Sequence, residues 1–358
     1  MGWNETNDAF IWIFNVGRGL AAFIRTPLNH GIIVDMGRGE DFVPSEFVLK
    51  KLCPYLESYK EHKIAQAILS HPHHDHISDC AALSEIPELY PTLVTCPNDN
   101  VPSTPNVRYD PVTWKRIKNR DGNKSIEKYK KLYERRQLPL QTIEHVSKYR
   151  TTLPLEYGIY YLSPKVCNEL HSDDNEYGNS LSVMTYFRYG GQSILFPGDI
   201  TPEAMERVLA ESLGVEKRFT VFSRSEQEQH PRWITETFDQ PSLKSRLKEF
   251  GLSVLVAPHH GLESCYSPEL YSAIRGEKPD IIVVSEMYSV PDGQGETHHY
   301  YQSENGASGL NVNISGSTDF RRSVSTKSNH ILIRMNGNGK PKIYCEKEIE
   351  KLMKWANS

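Results

Sequence analysis

Four histidines and one aspartate fall within six positions, His71-Pro72-His73-His74-Asp75-His76. Imidazole is the commonest neutral metal ligand, and carboxylate is its usual companion at zinc and manganese sites. A β-rich run, Ile64 to Leu69, leads into the cluster, and Pro72 biases His71 toward extended backbone. Alternate side chains of an extended segment share a face, so His71 and His73 can serve one ion together. Asp75 and His76 follow the turn and can reach a second ion. A lone histidine is ordinarily a hydrogen-bonded or surface residue. At this density, however, partly charged rings repel one another without a metal. The apolar patterns on either side also exclude a low-complexity histidine tract.

Four ligands from one segment cannot close two tetrahedral sites, so other loops must contribute. The candidates stand at the ends of strand-like runs. Asp199 follows Ile194-Leu195-Phe196-Pro197-Gly198 and is placed to bridge two ions, with Gly198 allowing close backbone approach. His259-His260-Gly261 ends another such run, and His298-His299 ends a long loop after a third. Each alone reads as an ordinary turn or polar loop. Together they converge on one site.

The elements that must position these residues are mostly strands. Ala9 to Phe14, Leu20 to Arg25 and Gly31 to Asp35 are short apolar runs separated by turns. Phe42 to Tyr59 has helical spacing, and Ile77 to Leu83 reads as a short helix. Thr92 to Cys96 and Ile159 to Ser163 are further strands. Ser180 to Tyr189 and Ser193 to Phe196 form a hairpin through Gly190-Gly191. A helix runs from Pro202 to about Leu213, with proline near its start. Ser253 to Ala257, Asp280 to Ser285, and a hairpin of His330 to Met335 with Lys342 to Cys345 complete the strands, and Lys347 to Trp355 is a terminal helix. Residues 97–150 are rich in proline and then basic, with a helix from Ser125 to about Gln137. Residues 215–245 are polar and irregular. Both read as insertions on a single domain spanning 1–358.

With 38% hydrophobic and 24% charged residues, the chain can bury a sizeable core. It has no apolar run of the roughly 20 residues a membrane span needs and no visible secretory signal. Its six scattered cysteines, with no Cys-x-x-Cys pair, are expected to be reduced thiols in a cytoplasmic protein. The net charge of -4 does not suggest a nucleic-acid binder. Between Trp114 and Arg136, however, ten Lys or Arg stand against three Asp or Glu. Lys115, Arg116, Lys128, Lys130 and Lys131 could follow a phosphate backbone, with Trp114, Tyr129 and Tyr133 stacking on bases. The plainer reading is a solvated helix whose Tyr129 and Tyr133 pack on the core.

The chain resembles metallo-β-lactamase-fold hydrolases, whose motif is H-x-H-x-D-H followed by Gly-Asp and later histidines. Its subtype is similar to the hydrolase domain of ComEC-type competence proteins, and bacterial phosphorylcholine esterases share a similar arrangement. The matching residues are Asn15 through Gly19, Ile24 through Pro27, Ile33 through Gly37, Ser70 through His76, Asn179-Ser180-Leu181, Pro197-Gly198-Asp199, and His259-His260-Gly261 with Ser264. The resemblance implies a four-layer αββα sandwich, interrupted by the two insertions, with the site at one edge of its two sheets. It implies that one ion takes His71, His73 and a histidine of the 259–260 pair, and the other Asp75, His76 and His298, with Asp199 bridging. Asp35, Asn179 and Ser180 would stand behind the ligands. Asn179-Ser180 occupies the place where most relatives have a histidine, and His171, in polar surroundings, is an alternative. His298 is preferred to His299 by motif position.

That constellation implies a dinuclear metal-dependent hydrolase, with zinc or manganese ions and a metal-bridging hydroxide as nucleophile. Asp75 would orient the hydroxide, and His260, where it is not a ligand, would hold a phosphoryl oxygen or protonate the leaving group. The resemblance and the basic segment favour a phosphodiesterase acting on DNA or RNA. A small-molecule hydrolase of phosphoesters, lactones or thioesters is the alternative, and a degenerate binding module is the third reading. No Ser/His/Asp signature or phosphate loop competes with the metal site.

Overall fold

The computed structural model describes residues 6–58, 62–97, 128–129, 132, 155–162, 164–210, 218–223, 232–237, 241–286, 299–302 and 305–356. In chain order its strands are β1 Ala9–Ile13, β2 Ala21–Arg25, β3 Gly31–Met36, β4 Ile64–Ile68, β5 Pro91–Thr95, β6 Glu156–Tyr160, β7 Met184–Tyr189, β8 Gln192–Phe196, β9 Arg218–Ser223, β10 Arg232–Thr237, β11 Val254–Val256, β12 Ile281–Val284, β13 Leu310–Ile314, β14 Ser317–Arg321, β15 Ser323–Ser325, β16 His330–Met335 and β17 Lys342–Glu346. They form a nine-stranded sheet ordered β14-β13-β17-β16-β1-β2-β3-β4-β5 and a six-stranded sheet ordered β15-β12-β11-β8-β7-β6. The pair β9–β10 stands as a separate two-stranded sheet. Short helices connect these strands, so the chain is of mixed α/β class. No described helix is long and apolar enough to cross a membrane.

Side-chain alternation sorts the strand residues into two apolar clusters. Ile11, Ile13, Ile24 and Val34 of the larger sheet join Phe187, Ile194, Phe196, Val254 and Val283 of the smaller one in a single buried cluster. Their neighbours Phe10, Trp12, Phe23, Ile33, Tyr186, Leu195 and Ile282 belong to a second cluster, together with residues of the helices. Strands buried on both faces read as almost continuous apolar runs, which is how β1, β3 and β12 appear in the sequence. The two sheets are also tied where their hairpin turns meet. Gly191 N–H donates to Gly337 O at 2.9 Å, and a Cβ on Gly190 would come within 2.2 Å of the same oxygen.

Parallel pairing sets which strand ends meet. β3 runs parallel to β4, and β8, β11 and β12 run parallel to one another. Loops that leave the carboxyl ends of such strands gather side chains from distant parts of the sequence, the usual place for a ligand in an α/β protein.

Several elements differ from the sequence expectation. The helix expected over 42–59 is broken into Pro44–Phe47, a wide turn Val48–Leu52 and a tight turn Cys53–Tyr55. Pro54 has no N–H for a continuing helix and crowds the preceding turn. The helix expected at 77–83 begins earlier, at His74–Ile77, and resumes at Ala82–Glu85. The 215–245 segment, expected to be irregular, contains β9 and β10. The segment around 171–175, expected to be a loop, leads into a helix Asp174–Ser180, capped by the Asp173 carboxylate accepting from Asn175 and Glu176 N–H. The hairpin of β13 and β14 was not expected. It adds to the edge of the larger sheet through the parallel pair β13–β17. Nearly all of the basic segment lies outside the described residues.

His330, at the start of β16, supports the β1–β2 loop. It accepts from Asn15 N–H through Nδ1 at 3.1 Å and packs against Phe42 at 4.6 Å between ring centres. Burial pushes its pKa down from 6.5 to about 4. The unfolded chain therefore binds the extra proton first, so this contribution is complete above the unfolded pKa and is lost as pH falls toward the folded one. Denaturant unfolding at pH 7.5 and pH 5 should show about 2 kcal/mol more loss in the wild type than in His330→Gln. Equal losses would mean that His330 is not held neutral.

Candidate metal centre

The centre begins with a distorted strand end. Asp35 lies in the left-handed region, φ 56°, although it is inside β3. Its carboxylate thereby turns to the end of β4. Ser70 N–H donates to Asp35 Oδ1 at 2.6 Å, and Ser70 Oγ–H donates to Asp35 Oδ2 at 2.7 Å. His76 Nδ1 lies 2.8 Å from the same Oδ2, and His71 Nδ1 lies 3.0 Å from Ser70 Oγ. With the Ser70 proton committed to Asp35, the network puts a hydrogen on Nδ1 of both rings, so that each turns its Nε2 toward the centre.

The short helix His74–Ile77 is docked by glycines. A Cβ on Gly37 would stand 2.0 Å from the Asp75 carbonyl oxygen, and one on Gly19 would stand 2.4 Å from it. Asp79 N–H donates to Met36 O at 2.7 Å and fixes the following turn. From the other sheet, Gly198 adopts φ 63° after β8, and Asp199 N–H donates to Ser182 Oγ at 3.0 Å. After β11, His259 and His260 take φ 45° and 58°. Non-glycine residues in this region cost about 1–3 kcal/mol each and cluster where function requires them.

Two donor groups result. Asp75, His76, Asp199 and His260 form one, and His71, His73 and Asp199 the other. The ligand atoms within each group lie within 4.8 Å of one another. Asp199 belongs to both. His76 Nε2 is 3.1 Å from Asp199 Oδ1, and His260 Nε2 is 3.2 Å from Asp75 Oδ2. Despite these short distances, neither buried nitrogen has hydrogen-bond geometry. His71 Nε2 and His73 Nδ1 converge to 3.0 Å. Buried ring nitrogens that face carboxylates without hydrogen bonding, as His76 Nε2 and His260 Nε2 do, belong to groups that could hold a metal ion. An all-nitrogen-and-oxygen set suits zinc or manganese. The group with Asp75 has four donors, enough for a tetrahedral ion. The group with His71 has three among the described residues.

The electrostatics fit the same conclusion. Burial alone would raise the Asp199 pKa, but the imidazoles of His76, His260, His259 and His71 hold it well below the usual range. Burial opposes protonation of His76, yet Asp199 and Asp35 lift its pKa well above 6.5. Against the same burial, Asp199 and Asp75 lift His260 to about 9. His71 goes the other way, lowered by burial and then by the charges of His76 and His73. Protons on His76 and His260 thus occupy the place of cationic charge.

The expected residues divide clearly. His71, His73, Asp75, His76 and Asp199 come together, with Asp35 behind them. His260, expected as a catalytic group, instead completes the donor set with Asp75 and His76, the place expected for His298. The reason is local: the two left-handed residues turn His260 inward. His259, expected as a ligand beside His71 and His73, falls in neither donor group. Its Nε2 is 3.6 Å from Asp199 Oδ2, and its Nδ1 is 3.0 Å from Cys265 Sγ. His298 lies outside the described residues, and His299 is exposed. His171 does not join the donors; its Nε2 is 3.1 Å from Thr201 Oγ1. Thr201 Oγ1 is in turn 2.9 Å from Ser180 Oγ, which ties Ser180 to the turn after Asp199. Asn179 is buried with an unpartnered Oδ1, next to Gly178, on which a Cβ would meet His73 Nε2 at 2.4 Å. Ser70, Ser182 and Cys265 had no role in the sequence reading. Of the proposed nucleic-acid contacts, Lys115, Arg116, Lys130 and Lys131 lie outside the described residues. Lys128 pairs with Glu85, and Tyr129 is fully buried in the core instead of standing ready to stack.

No family model matches the chain, and no curated protein matches it.

Two measurements check this geometry. His260→Ala should lose an ion by mass spectrometry of the loaded protein, and His259→Ala should keep its full metal content; the reverse result would restore the expected assignment. Metal binding must also displace the protons on His76 and His260, so chelator-competition affinity should rise with pH between 6 and 8, by up to about tenfold per unit for each proton released. A flat profile would place the bound metal elsewhere.

Proposed function

We propose that this chain is a dinuclear metal-dependent hydrolase of metallo-β-lactamase type, acting on phosphodiesters. The observation that carries the reading is Asp199, a buried carboxylate shared by two separate donor groups. The fold reading that goes with it is the four-layer αββα sandwich. It is supported by an apolar cluster common to both sheets and a second cluster joining their alternate residues to the helices. Donors drawn from the carboxyl ends of β4, β8 and β11 suit that architecture.

His71, His73 and Asp199 would hold one ion, and Asp75, His76, His260 and Asp199 the other. Two bound ions supply Lewis acidity and water acidified from a pKa of 15.7 to about 7. The chain's own residues do the rest. Asp35 and Ser70 keep His71 and His76 in the tautomer that presents Nε2. Asp75, the most exposed carboxylate of the centre, faces the side from which water and substrate arrive. His259, outside both donor groups and partly exposed, is the ring available to donate to a substrate oxygen. The sequence left open which histidine of the 259–260 pair is a ligand, and the donor groups favour His260. The pairing of Lys128 with Glu85 and the burial of Tyr129 remove part of the case for a long nucleic-acid channel. They favour a small phosphoester as the second reading.

The test is metal content by mass spectrometry with hydrolysis of single-stranded DNA, RNA and bis(4-nitrophenyl) phosphate in zinc or manganese, for wild type and Asp199→Ala. About two ions per chain are expected. The variant should lose activity by more than the roughly 10–100-fold typical of removing an outer partner. Bound metal with no phosphodiester cleavage would redirect the assignment to lactones or thioesters, and absence of metal would reject the hydrolase.

A further inference from the structure

Two residues beyond the shared carboxylate Asp199, Thr201 opens the helix Pro202–Ala210, and its Oγ1 accepts from Ala204 N–H at 3.3 Å. The same Oγ1 lies 3.1 Å from His171 Nε2 and 2.9 Å from Ser180 Oγ. A hydroxyl has one hydrogen and two lone pairs, so these contacts use its full capacity. Asp199, Thr201, His171 and Ser180 are all buried.

His171 stands where three segments meet. It follows the helix Pro164–Leu170, and its N–H donates to Cys167 O at 3.1 Å. Cys167 Sγ–H donates in turn to Ser180 O at 3.3 Å. On the other side of the ring, Nδ1 lies 3.3 Å from Oε2 of the exposed Glu176. A carboxylate in that place favours a hydrogen on Nδ1. In the neutral ring Nε2 then accepts from Thr201 Oγ1–H, and Thr201 Oγ1 accepts from Ser180 Oγ–H. Glu176, Gly178 and Ser180 belong to the helix Asp174–Ser180. This helix is the wall behind His73, because a Cβ on Gly178 would come within 2.4 Å of His73 Nε2. The contacts of one imidazole therefore join the turn that carries Asp199 to the helix against which His73 rests.

Such a join bears most on the group with fewer donors. His71, His73 and Asp199 form that group, and two of the three stand on the elements that His171 connects. We infer that His171 is a positioning residue for this group, fixing the separation of His73 and Asp199 through Thr201 and Ser180. The inference rests on the dinuclear reading and assigns the support of one of its two ions. Removing an outer partner of a metal ligand costs about 10–100-fold in metal affinity.

The experiment compares wild type with His171→Ala, His171→Gln, Thr201→Val and Thr201→Ser. Stepwise zinc affinities are measured by chelator competition, with His73→Ala marking the step that belongs to the three-donor group. Amide hydrogen exchange over residues 198–204 is followed in the metal-free wild type and His171 variants. His171→Ala should weaken the marked step by about 10–100-fold, spare the other step, and speed exchange over 198–204. Thr201→Val, which deletes the hydroxyl in place, should weaken the same step even where His171→Ala does not fold. His171→Gln, whose amide can reach the place of Nε2, and Thr201→Ser, which keeps the hydroxyl, should stay close to wild type. Equal weakening of both steps, or a loss in His171→Gln as large as in His171→Ala, overturns the positioning role by making the ring a packing residue. Unchanged exchange in His171→Ala overturns it whatever the wild type binds. Faster exchange in a protein that takes up no zinc upholds the link from His171 to the Asp199 turn and rejects the dinuclear reading.

Discussion

A carboxylate with almost no access to water, Asp199, has to be kept charged between histidines that come from two other loops. Burial of an isolated carboxylate is strongly unfavourable, and proteins normally neutralise or pair such a group. Here the pairing is with His76, His260, His259 and His71, and it holds the group ionised. Such pairing requires the carboxyl ends of β4, β8 and β11 to meet, which requires both sheets to be packed and aligned before the last side chain can be placed. The fold can thus be read as the apparatus that brings those loops to one carboxylate.

The alignment is enforced at both ends. Away from the centre, the turns at Gly190-Gly191 and Gly337 lock the two sheets by direct backbone contact, and Gly337 N–H donates to Gln192 Oε1 at 3.0 Å. Near the centre, the constraints are conformational. Asp35, His259 and His260 all adopt positive φ without being glycine. Such strain persists only where surrounding contacts over-determine it. At Asp35 these are the two hydrogen bonds from Ser70 and the contact with His76; after β11 they include His259 N–H donating to Gly198 O at 3.1 Å. A bond from the loop after β11 to the loop after β8 keeps the histidine pair in register with the shared aspartate.

What was legible in the sequence was chemistry with local spacing. His71, His73, Asp75 and His76 sit in one segment, and their division into two donor pairs follows from extended backbone giving way to a turn. The apolar strands were legible because both of their faces are buried. Less legible was anything decided by backbone sign or distant packing. His259 and His260 are neighbours of the same type, and their shared left-handed backbone, which places both rings near Asp199, left no trace in the sequence. The helix Asp174–Ser180 looked like a polar loop, although Asp173 followed three residues later by Glu176 is a capping pattern that signals a helix start. Lys128 and Tyr129 carried a charge-and-aromatic pattern that suits nucleic acid equally well. Their ion pair and burial depend on partners elsewhere in the chain.

The same contacts orient the ligand side chains from behind. In small zinc domains the metal supplies the folding energy, and the chain is unfolded without it. Here Asp35, Ser70 and Ser182 fix the ligand rings and the Asp199 backbone through hydrogen bonds that no ion mediates. The protons raised onto His76 and His260 by Asp199, Asp75 and Asp35 balance the carboxylates. A divalent ion bound there would take the place of those protons. The hydrogen bonds behind the ligands thus hold four donors in one group and three in the other around the shared aspartate.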